Sequence, residues 1–136
     1  MGAVRSCVAA ALTLLAPGCF VDTFDEPPVI VVLSGTAVID WTVDQSKAPD
    51  ACRVFFADSI RITVIDSDGF VVGTFAQVCE AYATTITLAQ GNYSADALLV
   101  DAGGAPRTTT VRIAPFTIFG GDRVAIPIDF PANSFF

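Results

Sequence analysis

The sequence predicts an all-β protein, an antiparallel β-sandwich of about seven or eight strands preceded by an N-terminal signal segment. Three observations lead there. From Val29 onward, apolar and polar residues alternate with a period of two rather than 3.6. Gly-, Asn- and Asp-rich turns punctuate the chain at short intervals, at Asp66-Ser67-Asp68-Gly69, Gln90-Gly91-Asn92, Asp101-Ala102-Gly103-Gly104 and Gly120-Gly121-Asp122. Val, Ile, Phe and Thr, which suit a pleated and half-buried surface, are abundant, and no amphipathic stretch is long enough for a helix.

Residues 1–18 read as an export signal. Met1 to Arg5 carries one positive charge, Cys7 to Ala16 is apolar, and Pro17-Gly18-Cys19 ends the run. Ten apolar residues make a helix of about 15 Å, half of a ~30 Å hydrocarbon core, so the run is too short to span a membrane. Residues 19–28 are acidic and close on Pro27-Pro28, as a stiff-ended tether would, and residues 29–136 form the sandwich domain.

The strands follow in order. Val29 to Leu33 is a continuous apolar run bounded by Ser34-Gly35. Thr36 to Val43 holds the single tryptophan, Trp41. Ser59 to Ile65 and Phe70 to Ala76 form a hairpin about Asp66–Gly69. Further strands are expected at Thr84–Leu88, Tyr93–Val100, Thr108–Ile113 and Arg123–Phe130. In the last of these, Val124, Ile126, Ile128 and Phe130 share one face. Pro127 has no N–H to give to a ladder, which makes this an edge strand or an interrupted one.

Four cysteines divide unevenly. Cys7 lies in the signal, leaving Cys19, Cys52 and Cys79, an odd number for an exported chain. Residues paired across the Asp66–Gly69 turn have numbers summing to about 135, and Cys52 and Cys79 sum to 131. They therefore meet near the open end of the hairpin and can form a disulfide. Cys19 then needs a separate role. Leu15-Ala16-Pro17-Gly18-Cys19 resembles the lipobox of bacterial lipoproteins, which implies lipidation at Cys19. Phe20 in the following position then implies the outer membrane, with the domain in the periplasm or on the cell surface. Ordinary cleavage, releasing a soluble protein that starts at Cys19, is the competing expectation.

Leu88-Ala89-Gln90-Gly91-Asn92-Tyr93 resembles the L-x-x-G-x-Y turn of transthyretin-like and immunoglobulin-like sandwiches. The resemblance implies that Tyr93 packs at a corner and bonds back to main chain, as scaffold rather than ligand.

Composition and motifs narrow the function. There is no histidine, and with it go the usual general base, metal ligand and triads. No phosphate-binding loop, dinucleotide fingerprint or serine elbow occurs, and no cofactor is expected. With Arg5 removed, six basic groups face fourteen acidic ones, a net charge of −8, which disfavours nucleic acid. Asp66 and Asp68 resemble the opening of a calcium loop without the later ligands, so a turn is the expected role.

The expectation is a non-enzymatic, membrane-tethered binding or structural module, with a protein or glycan partner. An extended partner could pair with an exposed sheet edge. Two alternatives stay open. A carboxylate-dependent hydrolase would draw on Asp40, Asp44, Asp58, Glu80, Asp96 and Asp129, and a polysaccharide-binding module would use an exposed Trp41–Tyr82 surface.

Overall fold

The computed structural model describes residues 27–136. Cys7, Cys19, the signal and most of the tether lie outside them. Val32–Phe136 forms one compact unit, and of the unit before it only residues 27–31 are described, without regular structure and exposed.

Seven strands are present in this unit. They are β1 (Ser34–Val43), β2 (Ser59–Asp66), β3 (Val71–Val78), β4 (Ala83–Ala89), β5 (Gly91–Val100), β6 (Val111–Ile118) and β7 (Arg123–Phe130). A single helical turn, α1 (Ala51–Val54), precedes β2, and 3-10 turns occupy Cys79–Ala81 and Ala132–Ser134. The strands form two layers, ordered β4-β1-β7 and β3-β2-β5-β6. All pairings are antiparallel except β1–β7, which is parallel. That order separates the two resemblances. An immunoglobulin domain keeps its first two strands in one sheet, whereas β1 and β2 lie in opposite sheets here.

The period of two becomes burial directly. Ala37, Ile39, Trp41 and Val43 of β1 face Ile60, Ile62 and Val64 of β2 and Ala95, Ala97 and Leu99 of β5 across one core, all fully buried. Fully buried alanines beside Trp41 and Phe130 let large and small side chains interdigitate. Pro127 sits as expected, on β7 at the edge of the three-stranded sheet. Pro115 marks β6 as the edge of the other sheet by the same logic.

Two expected strands differ. Val29–Leu33 forms no strand. β1 pairs with β7 only from Thr36, opposite Arg123, and its ladder to β4 ends one bond before Ser34, where the Gln90 N–H donates to the Leu33 carbonyl at 2.8 Å, so residues 29–32 have no ladder to join. The strand expected at Thr108–Ile113 runs instead over Val111–Ile118. Thr108 is buried, and its hydroxyl accepts the Leu99 N–H at 3.0 Å, standing in for a ladder carbonyl. Arg107 donates its N–H to the Leu99 carbonyl, so the chain crosses β5 here before regular pairing begins.

Gly35 explains why β1 starts as it does. A Cβ there would lie 2.5 Å from the Phe119 carbonyl oxygen and 2.9 Å from that of Asp122. The obstruction is main chain in the β6–β7 turn, which is bonded to β1 through Gly121 N–H to Ser34 and Thr36 N–H to Asp122. Gly35→Ala is expected to destabilise the fold by about 2–3 kcal/mol, as overpacking does, measured by urea unfolding. A loss under 0.5 kcal/mol would mean that the turn moves aside freely.

Candidate functional site

Four edge strands bound the two sheets, and two of them carry charge and proline. β6 holds Pro115 and Arg112, and β7 holds Pro127, Arg123 and Asp129. β4 is uncharged, but its exposed side chains are Ala and Thr. β3 (VVGTFAQV) has no charge and no proline, and Val71, Val72 and Val78 are roughly half exposed or more, with Phe70 exposed just before it. Natural sheets usually blunt such an edge.

The direction of β3's free main-chain groups follows from its ladder. Cys79 N–H donates to the Asp58 carbonyl at 2.9 Å, marking residues 58 and 79 as a bonded pair. Antiparallel ladders alternate, so Gln77, Phe75 and Gly73 bond to β2 while Val78, Ala76 and Thr74 turn their main-chain groups outward. Consistent with this, the Val78 N–H is met by the side-chain oxygen of its neighbour Gln77 at 3.0 Å.

A second feature lies at one end of this edge. Ser59 is opposite both Val78 and Val100, so the ends of β3, β2 and β5 lie side by side. Each contributes an acid just beyond its strand: Glu80 after β3, Asp58 before β2 and Asp101 after β5. With Arg53, Phe56, Ala57, Ala102 and Gly103 they line an open cleft of about 560 Å³. Arg53 reaches Glu80 at 3.5 Å, with both side chains at least half exposed. Asp101 is committed locally, its Oδ1 accepting the N–H groups of Gly103 and Ala105 at 2.9 Å. Phe56 stands exposed on a left-handed backbone (φ 58°), with the Arg107 guanidinium 5.7 Å from its ring centre.

The two inner cysteines form the expected bridge, between α1 and the turn after β3, with both sulfurs buried. Asp66 closes its turn by accepting the Asp68 and Phe70 N–H groups at 3.0 and 2.9 Å. Among the described residues no cluster of three acids, cysteines or histidines is placed to hold a metal. The candidate acids divide. Asp40 pairs with Lys47, Asp96 with Arg112 across β5–β6, Asp129 accepts from Thr42 and Gln45, and Asp44 is exposed on the bend after β1. Of that set only Asp58 and Glu80 line the cleft, together with Asp101. Asp58 and Glu80 are both open to water.

The Trp41–Tyr82 surface is corrected by the structure, because both side chains are buried. Trp41 Nε1–H donates to the Cys79 carbonyl at 2.9 Å, and the Tyr82 hydroxyl donates to the Ala48 carbonyl. Tyr93 takes the corner role that the L-x-x-G-x-Y resemblance implies, donating to the Ala89 carbonyl at 2.6 Å. The sequence reading missed Arg53, Phe56 and Asp101 as cleft residues. The signal available was the hairpin register, extended one strand further to β5.

Burial pushes the Tyr82 phenol above its ordinary value. The protein has two tyrosines. A raised folded value means that this contribution to stability is complete below pH ~10, the unfolded value, and is lost as pH rises through the folded one. Absorbance titration is expected to show a late-ionising phenol that disappears in Tyr82→Phe. An absorbance titration left unchanged by Tyr82→Phe above pH ~10 would contradict the burial.

Fold and edge define a small disulfide-bonded β-sandwich with one apolar, uncharged edge strand, β3, interrupted only by a bulge at Val72. No family model matches the chain, and no sequence among curated proteins matches it. Among solved structures it is similar to the Bacillus anthracis TIE protein, at 15% identity and a TM-score of 0.50, over 71% of this chain and 17% of that one. It is also similar to a leucine-rich repeat protein from Bacteroides thetaiotaomicron, at 13% identity and a TM-score of 0.49, over 74% of this chain and 12% of that one. The chain thus spans under a fifth of either protein's length, and the first likeness speaks for the fold alone.

Proposed function

We propose that this chain is an exported, lipid-anchored envelope protein whose β-sandwich is a non-enzymatic binding module. Cys19 carries the lipid, the tether lifts the domain off the bilayer, and the outer membrane is its address. The observation that carries the binding role is β3, an eight-residue edge with neither charge nor proline and with exposed apolar side chains. Sulfur accounting supports the anchor, since the Cys52–Cys79 bridge leaves Cys19 as the odd thiol of the mature sequence. Two or more acyl chains hold a protein stably on a membrane where one does not.

The test is the intact mass of protein extracted from membranes. The expected mass lacks residues 1–18, gains acyl chains and lacks the two bridge hydrogens, and Cys19→Ala releases the protein from the membrane fraction. A free thiol at Cys19, or a retained signal, overturns the anchor.

The cleft of Asp58, Glu80 and Asp101 favours a second reading, a carboxylate-dependent hydrolase. That reading expects the protein to release reducing ends from envelope polysaccharide, with the activity lost in Asp58→Asn or Glu80→Gln. Purified protein that releases none removes it.

A further inference from the structure

We propose that the outward edge of β3 accepts an added strand from a partner protein, an extended segment of alternating β-branched side chains with Lys or Arg at its ends. The inference rests on the binding role proposed above and names the partner's chemistry.

Main-chain complementarity comes first. Thr74, Ala76 and Val78 present their N–H and C=O groups to one side with no strand to receive them. An added strand satisfies those groups, and its alternate side chains lie against the exposed faces of Val72, Thr74, Ala76 and Val78. The Gln77 amide now shielding Val78 N–H is the one local contact that the incoming strand displaces.

Charge sets the ends. The edge itself is neutral, but beyond Val78 lies the cleft of Asp58, Glu80 and Asp101, where three carboxylates face the single cation Arg53. Before Val71 lies the turn carrying Asp66 and Asp68. A strand with a basic residue at each end meets acid at both ends in either direction. The cleft's volume suits the long side chain of Lys or Arg.

The same charges exclude a second copy as the favoured occupant. Two β3 strands paired antiparallel would set Asp66 and Asp68 of one copy against Glu80 and Asp58 of the other. Paired parallel, they would set each acidic end against its like. The net charge of −8 in the mature sequence adds repulsion at longer range.

The experiment uses the full mature chain and a fluorescent peptide of about ten residues, alternating Val and Thr with a Lys pair at each end, followed by anisotropy and amide chemical shifts. Two counterparts carry Glu pairs, or N-methyl groups on alternate amides. Binding of the Lys peptide is expected, with shifts confined to β3 and the cleft. It is expected to weaken about tenfold or more with Glu ends, with much of that difference lost at about 0.5 M salt. N-methylation, which blocks pairing without touching the protein, is expected to abolish binding. Ala76→Pro removes an outward N–H while leaving the ladder to β2, and is expected to weaken binding at least about tenfold.

Equal binding of Lys and Glu peptides overturns the charge assignment, and binding that survives N-methylation overturns strand addition. A concentration-dependent dimer of the unmixed protein, lost in Ala76→Pro, gives the edge to a second copy and overturns the partner. Acylation of Cys19 is read separately by mass. Lipidated protein that ignores every peptide refutes this inference and leaves the anchored module standing.

Discussion

Trp41→Ala is expected to lower the free energy of unfolding by about 4 kcal/mol, within the range for deleting a buried aromatic side chain. Trp41 is fully buried in the middle of the core, where β1 faces β2 and β5. Truncation removes its apolar area and leaves a cavity that the alternating ladders on either side resist closing. It also removes the indole N–H that meets the Cys79 carbonyl. Trp41→Phe separates the two losses, because it keeps most of the volume and deletes only the donor. A cost of about 1–2 kcal/mol is expected for the second variant, the usual penalty for a buried acceptor left without its partner. Urea unfolding followed by far-UV circular dichroism is the appropriate measurement, since the protein has no other tryptophan to report by fluorescence. A domain of this size has about 5–15 kcal/mol in total, so the alanine variant sits close to unfolding at 37 °C. A loss below 1 kcal/mol in Trp41→Ala would mean that the indole is not part of a packed core.

Trp41 also shows what could be read before folding. Its place in an apolar strand pointed to the core, and the period of two located the inner faces of β2 and β7, because alternation maps onto burial when one face of a sheet is covered. The hairpin register brought Cys52 toward Cys79, and Pro127 placed β7 at an edge. What escaped was set by tertiary context. Val29–Leu33 has the composition of a buried strand, yet strand formation needs a neighbour, and composition does not count neighbours. Thr108 sits in a stretch with strand propensity, but its hydroxyl replaces a ladder carbonyl and postpones β6 to Val111. The parallel β1–β7 pair joins strands at opposite ends of the domain, a non-local pairing that no local pattern encodes. The cleft was half legible. Asp58 and Glu80 were candidate acids from the start, but bringing them together with Asp101 required the β2–β5 register, and Phe56 stands there only because the chain after α1 turns through a left-handed residue.

Removing the bridge, with Cys52→Ala and Cys79→Ala together, is expected to cost about 3.5 kcal/mol, the chain-entropy value for a separation of 27 residues. For a domain of about 100 residues that corresponds to a fall in Tm of about 15 °C or more. The bridge fastens α1, which has one helical turn and no side-chain cap, to the turn that follows β3. Without it, α1 is held mainly by main-chain bonds of its own turn and by the Phe55 carbonyl, which accepts from Arg107. The loss should not add simply to that of Trp41. The indole bonds to the carbonyl of Cys79 itself, so once the bridge is gone that carbonyl is free to shift. Trp41→Phe should therefore cost less in the bridge-free background than in the native one, by about 0.5 kcal/mol or more, as expected for neighbouring sites. Thermal unfolding of the four proteins, with and without reductant, measures both terms. If the bridge-free protein matched the native one in Tm, Cys52 and Cys79 would be incidental to stability. Cys19 would then not be the one cysteine of the mature sequence without a structural role, and the lipid anchor proposed for it would lose its support. The alternative outcome, a domain that needs the bond to stay folded at 37 °C, confines it to compartments where thiols are oxidised.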